Sequence, residues 1–162
     1  MTSEDELQHG IKLRPARPGE GQQLYDITAQ SIQALGKAHY SGDQLANWMG
    51  NRTAAYYEDV ITKNRTFVAE QDGVLLGFVD ADRGEVTRLF LVPEAAGRGL
   101  GRALLQRGIE VAKMGHQGPV RVESTLNAQG FYESFGFKPV SRGYFSHGVG
   151  GEPIDIVIME MR

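Results

Sequence analysis

The run Leu89–Leu105, LFLVPEAAGRGLGRALL, holds the residues best suited to chemistry. An apolar, strand-like stretch stops at Pro93, Gly97, Gly99 and Gly101 follow at alternate positions, and a helical pattern begins near Leu100. A turn of this kind at a helix start brings backbone N–H groups to one point, and the helix N-terminus adds about half a positive charge. Glycine permits the unusual φ angles and leaves no Cβ between those amides and an incoming oxygen. Arg98 and Arg102 can add charge-assisted contacts. The ligand class is a phosphate or pyrophosphate. Two common phosphate motifs do not fit: no Gly-Lys-Ser/Thr follows, as a P-loop requires, and the third glycine of GxGxxG is Arg102 or Leu104 in the two possible registers.

The elements that must position this turn are legible around it. Ile11–Arg14 alternates as a short strand and stops at Pro15, and Gly19–Leu35 has helical spacing ending at Gly36. Ser41 can cap a second helix carrying Leu45, Trp48 and Met49, the last two expected to bury against the sheet, and Asn51–Lys63 is a third helical stretch. Arg65–Glu70 and Val74–Asp80, separated by Gln71-Asp72-Gly73, form a hairpin, because Asp-Gly supplies the positive φ of a tight turn. Asp80 and Asp82 at the strand end then read as a polar turn, with attraction of a cationic amine as the lesser alternative. Glu85–Val92 is the strand entering the glycine turn, and a helix runs from about Leu100 to Met114 with Gly115 as its stop. Val120–Ser124 alternates as a strand, Ala128–Phe135 is a short helix closed by Gly136, and strands near Phe137–Phe145 and Ile154–Met161 flank a glycine-rich turn. Hairpins together with one strand–helix–strand crossover predict an α+β domain with a mixed, mostly antiparallel sheet flanked by helices.

Composition bounds the function. The chain has 162 residues, enough for one domain, expected over 10–162 after a polar tail at 1–9. Its 17 basic and 20 acidic residues give a net charge of −3, which offers no footprint for nucleic acid or an anionic membrane. There is no signal peptide pattern and no apolar run of the roughly 18 residues that a spanning helix needs. With no cysteine, disulfides, thiolate nucleophiles and Cys-held metals are excluded, and a cytoplasmic location is expected. His9, His116 and His147 lack ligand spacing, so no metal is expected. Glycine is unusual: 21 residues, where about 7% is ordinary.

Val92-Pro93 followed by Ala96-Gly97-Arg98-Gly99-Leu100-Gly101 and a helix resembles the acetyl-CoA-binding motif of the GNAT N-acetyltransferases, whose core pattern is Gln/Arg-x-x-Gly-x-Gly/Ala. Ser124–Phe137, STLNAQGFYESFGF, resembles the family's second diagnostic segment. The two matches and the strands between them span about Thr66 to Arg162. Ala96 departs from the first position of the core pattern, and Thr125 stands where many relatives carry Asn, with Asn127 close by.

The resemblance implies transfer of an acetyl group from acetyl-CoA to a primary amine by direct attack in a ternary complex. Gly97, Arg98, Gly99, Leu100, Gly101 and Arg102 would hold the pyrophosphate. Main-chain groups of Leu89 and Leu91, continuing into Val92, would pair with the pantetheine arm, the Leu91 amide facing the acetyl carbonyl; the Thr125 position contacts the cofactor arm in relatives, and Asn127 could substitute there. Tyr132 matches the tyrosine that protonates the departing thiolate, and a phenol can donate to a sulfur becoming anionic. Glu85 matches the base of the histone-acetylating branch and, by strand alternation, shares a face with Leu91. Glu123 is the competing carboxylate, and His39 could line the acceptor site. A homodimer is possible through the last strands or the helical region. Two other readings stay open: a non-catalytic acetyl-CoA-binding module with the same fold, and, more distantly, a nucleotide-dependent oxidoreductase.

Overall fold

The structure is a computed structural model that describes residues 5–6, 10–36, 41–43, 52–145 and 154–162. Its strands are β1 (Asp5–Glu6), β2 (Lys12–Pro15), β3 (Thr66–Gln71), β4 (Val74–Asp82), β5 (Glu85–Leu91), β6 (Val120–Thr125), β7 (Lys138–Tyr144) and β8 (Asp155–Met161). Its helices are α1 (Gly21–Gly36), α2 (Ala54–Thr62), α3 (Leu100–Lys113) and α4 (Gln129–Phe135). The strands form one sheet in the order β1-β2-β3-β4-β5-β6-β8-β7. Only the β5–β6 neighbours run parallel among the described residues, joined by the crossover through α3. The expected α+β class with a mostly antiparallel mixed sheet is what the chain adopts.

Local chemistry explains most boundaries. Gln71 pairs with Val74, so the β3–β4 hairpin closes through two residues, Asp72 at φ 52° and Gly73 at φ 80°. Gln71 therefore belongs to the strand, since a two-residue turn with both φ positive matches the twist of the strands it joins. Thr53 caps α2 by accepting the Tyr56 N–H at 3.2 Å. Gly42 and Asp43 are helical directly after Ser41, and the remainder of the expected second helix, with Trp48 and Met49, lies outside the described residues. Within the stretch expected as a polar tail, Asp5–Glu6 pairs with β2.

Helix α3 covers one face of the sheet and α1 with α2 cover the other. On the first face Leu104, Leu105 and Ile109 are buried, and a Cβ on Gly108 would come within 2.6 Å of Val79. On the second, Phe78 meets Tyr57 of α2 edge-on at 6.2 Å. α1 and α2 approach so closely that a Cβ on Gly21 would sit 2.5 Å from the Ala54 carbonyl oxygen. The Glu58 carboxylate of α2 accepts the Gly19 N–H at 2.9 Å and the Gly21 N–H at 2.5 Å, satisfying N–H groups at the start of α1. Arg14 of β2, 3% exposed, is clamped by Glu20 and Glu70, with ion-pair distances of 2.7 and 2.8 Å. Among the described residues no helix is long and apolar enough to cross a membrane.

Candidate active site

β5 and β6 pair at two positions only, Glu85 with Arg121 and Val86 with Val122. Beyond them β6 stays with β8 and β5 with β4, so the two strands diverge. The wedge between them is a cavity of about 100 Å³. Thr87, Arg88, Leu89 and Phe90 line it from β5, Glu123 and Thr125 from β6, and Asn127, Ala128 and Tyr132 from the segment that follows. Ser31 and Ile32 of α1 and Phe145 close it from the α1 side.

A β-bulge sits at the point of divergence. Asp80 opposes Arg88, but the next residue, Ala81, opposes Val86, which leaves Thr87 as an extra residue in β5. The extra residue reverses the alternation. Val86 and Leu91, five apart, both face α3: a Cβ on Gly108 would lie 3.5 Å from Val86, and one on Gly101 would lie 3.4 Å from Leu91. Glu85, adjacent to Val86, consequently faces the α1–α2 side. The expectation that Glu85 shares a face with Leu91 is overturned, because strict alternation holds only along an unbroken strand. Glu85 also lies outside the cavity lining, at the closed end of the wedge.

The main chain of β5 is directional. The Val92 N–H donates to the Leu76 carbonyl at 2.9 Å. Hydrogen-bonded pairs recur at every second residue of an antiparallel ladder. Phe90 and Arg88 therefore bond toward β4, whereas the N–H and C=O groups of Leu89 and Leu91 face the edge that β6 has left. Of these two, Leu89 lines the cavity; Leu91 lies further toward the glycine turn. Val92 has committed its N–H to Leu76.

In the glycine turn, Gly97 and Gly99 adopt φ of 81° and 76°, with open space where each Cβ would stand. These two positions need glycine for backbone conformation. Gly101 is different: it lies inside the first turn of α3 and brings the helix against Leu91 and Phe131. The N–H groups at the start of α3 have no partner one turn earlier in the helix and point out at the turn. Beside this turn the side chain of Arg98 donates to Gln71 at 3.5 Å, and Arg102 stacks over the Phe135 ring at 4.9 Å. Among the described residues, an exposed turn at a helix start next to an unpaired strand edge fits a ligand with an anionic end and an extended amide-bearing arm.

Tyr132, 7% exposed, packs edge-on against Phe131 at 5.2 Å and Phe137 at 5.6 Å. Burial pushes its phenol well above the ordinary value, so the hydroxyl keeps its proton. Glu123 is buried too, its side chain 2% exposed, and its Oε2 accepts from Arg121 Nη2 at 2.7 Å. Asp80, expected in a polar turn, is instead 4% exposed and accepts from Thr66 at 3.0 Å, Thr87 at 2.8 Å and Arg88. The strand extends to Asp82, which places Asp80 mid-strand under α2. His39 lies outside the described residues. Among the described residues no group of His, Asp or Glu has the arrangement to hold a metal.

The structure thus brings Leu89, Glu123, Thr125, Asn127 and Tyr132 to one cavity and leaves Glu85, Leu91 and Val92 at its margins. Sequence reasoning passed over Arg88 and Arg121. Arg121 carried a readable signal, an Arg-x-Glu spacing that puts both side chains on one face of a strand; Arg88 did not, since its neighbour Thr87 proved to be a bulge.

Residues 36–158 match the family described as acetyltransferase (GNAT) domain. The N-acetyltransferase YafP of Escherichia coli K12 is 26% identical over 134 residues, covering 83% of this chain and 85% of that protein. The fold is shared with a GCN5-related N-acetyltransferase of Rhodopseudomonas palustris, at TM-score 0.86, 23% identity and coverage of 97% and 98% of the two chains. It is also shared with the PaiA N-acetyltransferase of Thermoplasma acidophilum in complex with coenzyme A, at TM-score 0.74, 21% identity and coverage of 94% and 98%.

Proposed function

The chain belongs to the GNAT acetyltransferase family and is an acyltransferase, and from that premise we propose that it moves an acetyl group from acetyl-CoA to a primary amine by direct attack within a ternary complex. The observation that carries the reading is the wedge between β5 and β6, where Leu89, Glu123 and Tyr132 converge beside the glycine turn. Coenzyme A is the ligand of the related PaiA structure, and the same ligand suits the turn: pyrophosphate on the amides of Gly97 to Arg102, pantetheine along the edge of β5.

In this reading the amine nitrogen bonds to the acetyl carbon and the carbon–sulfur bond breaks. Glu123 accepts the proton that the amine gives up, directly or through one water, and Tyr132 donates its hydroxyl proton to the departing thiolate. The negative charge that develops on the acetyl oxygen meets the main-chain N–H of Leu89, which lines the cavity as Leu91 does not. Glu85 takes no direct part. No covalent acetyl-enzyme is invoked, since the chain has no cysteine. A cytoplasmic setting is part of the proposal.

One observation favours a rival, a binding module without turnover: Ala96, exposed at the mouth of the turn, occupies the place of the family's Gln or Arg. Calorimetric titration with acetyl-CoA and, separately, NAD tests the ligand. Release of CoA thiol across a panel of small amines, amino acids and lysine peptides tests turnover. Binding of acetyl-CoA with thiol release supports the enzyme, binding without release supports the module, and preference for NAD removes both.

A further inference from the structure

We propose that Arg121 is a positioning residue of this site, holding the Glu123 carboxylate charged and in place at the cavity wall. The inference rests on the reading of Glu123 as proton acceptor. The two residues are two apart on β6, so they share the face that looks toward α1 and α2. Their contact is 2.7 Å, and its exposure is one-sided: the Glu123 side chain is 2% exposed and that of Arg121 is 39% exposed. A carboxylate withdrawn this far from water is driven to take up a proton unless a cation or hydrogen-bond donors hold it ionised. Arg121 meets that need from the rim of the cavity, without occupying it: it is absent from the lining to which Glu123 belongs.

Among the described residues, position distinguishes Arg121 from the other charged groups. Arg88 lines the same cavity from β5, but its Nη atoms donate to Asp80 and to the Tyr56 hydroxyl. Opposite Glu123, β8 presents Ile158, and α1 presents Ser31 and Ile32, none of them charged. From α4 comes the protonated Tyr132. Arg121 itself lies in a row of charged residues that crosses five strands: Asp82, Glu85, Arg121, Glu160 and Lys138. Glu160 has Lys138 on its far side, while Glu85 has Asp82 on its own far side, so the row is negative toward β5. Glu85 is the residue of β5 that stands opposite Arg121 in the register.

The test reads the Glu123 carboxyl directly. In protein labelled with ¹³C at the glutamate carboxyls, the Glu123 signal is identified by its loss in Glu123→Gln and its midpoint is followed with pH. Arg121→Met is expected to raise that midpoint by about one unit or more, the size an opposite charge at this distance produces. Arg121→Lys is expected to recover more than half of the shift, which serves should the methionine variant not fold. With acetyl-CoA and whichever amine gives thiol release, the acid limb of kcat/KM is expected to move by the same amount. Midpoints that agree within about 0.3 units in wild type and both variants would overturn the assignment of Arg121. Wild-type turnover by Glu123→Gln would instead overturn the proton-acceptor reading, and the two failures are read separately.

Discussion

Asp80 and Arg88 stand directly opposite each other on β4 and β5 and form an ion pair beneath the cavity, their side chains 5% and 12% exposed. The same carboxylate accepts from the hydroxyl of Thr87, the extra residue of the bulge. One buried acid thus ties down both the bulge and its neighbour, at the place where β5 parts from β6 and the Leu89 amide is turned toward the cavity.

Replacing Asp80 with Asn should therefore be costly. The shape is kept, but a largely buried guanidinium loses its counter-charge, and breaking such a pair typically costs about 3–5 kcal/mol. Urea unfolding of the variant checks this. A change smaller than about 1 kcal/mol, the scale of an exposed pair, would mean that solvent or another group compensates Arg88.

Tyr132→Phe should lower kcat about 100-fold, the lower end of what a general acid contributes, while acetyl-CoA affinity measured by calorimetry changes little. Burial raises the phenol's pKa, so the protonated, donating form persists above the ordinary value of 10.0. The alkaline fall in rate should then belong to another group, and ultraviolet titration should find one tyrosine that resists ionisation in wild type and is missing from the variant.

Two glycines of one motif should respond oppositely to alanine. At Gly99, with φ of 76° and open space around the missing Cβ, alanine meets no clash but a left-handed backbone, at a cost of about 1–2 kcal/mol; acetyl-CoA affinity should fall with it. At Gly101 the new Cβ would meet Leu91 at 3.4 Å and Phe131 at 3.5 Å, ordinary contact distances, and helical backbone favours alanine over glycine by about 0.5–1 kcal/mol. Thermal melting should show Gly99→Ala destabilised and Gly101→Ala unchanged or slightly stabilised.

The Arg14 clamp predicts acid sensitivity. Burial by itself would raise the pKa of Glu20, but hydrogen bonds from Arg14 and the Arg17 N–H, with their charges, outweigh it and leave the pKa below its ordinary 4.5. A carboxylate depressed in the folded state stabilises fully above its unfolded pKa and loses that contribution as pH falls through the folded one. Glu20→Gln should thus cost about 2 kcal/mol near neutrality, typical of a hydrogen bond to a charged group. The gap from wild type in denaturant unfolding should close as pH drops below 4.5. A gap independent of pH would show that the ionised carboxylate is not what stabilises the clamp.

Features set by the backbone of a few consecutive residues were legible in the chain itself. The positive φ of Asp72-Gly73, Gly97 and Gly99, and the stop at Gly115, follow from which residues tolerate a left-handed conformation. The order of strands and helices followed from hydrophobic period, and with it the α+β sheet, because each element must bury one face. Tyr132 was singled out only by the resemblance of Ser124–Phe137 to the family's second segment, and the structure places it in the cavity lining. The bulge was not legible. Which residue of β5 becomes extra depends on the register against β4, and nothing local to Glu85–Leu91 specifies that register. Only when Asp80 is buried opposite Arg88 does Thr87 drop out of the alternation and turn Glu85 away from the face of Leu91. Glu123 and Arg121 were equally ambiguous, since a charged pair on a strand reads the same whether it borders solvent or a cavity. Their surroundings were decided by where β6 leaves β5, a matter of pairing between residues more than thirty positions apart, and long-range pairing is what a sequence read in windows cannot contain.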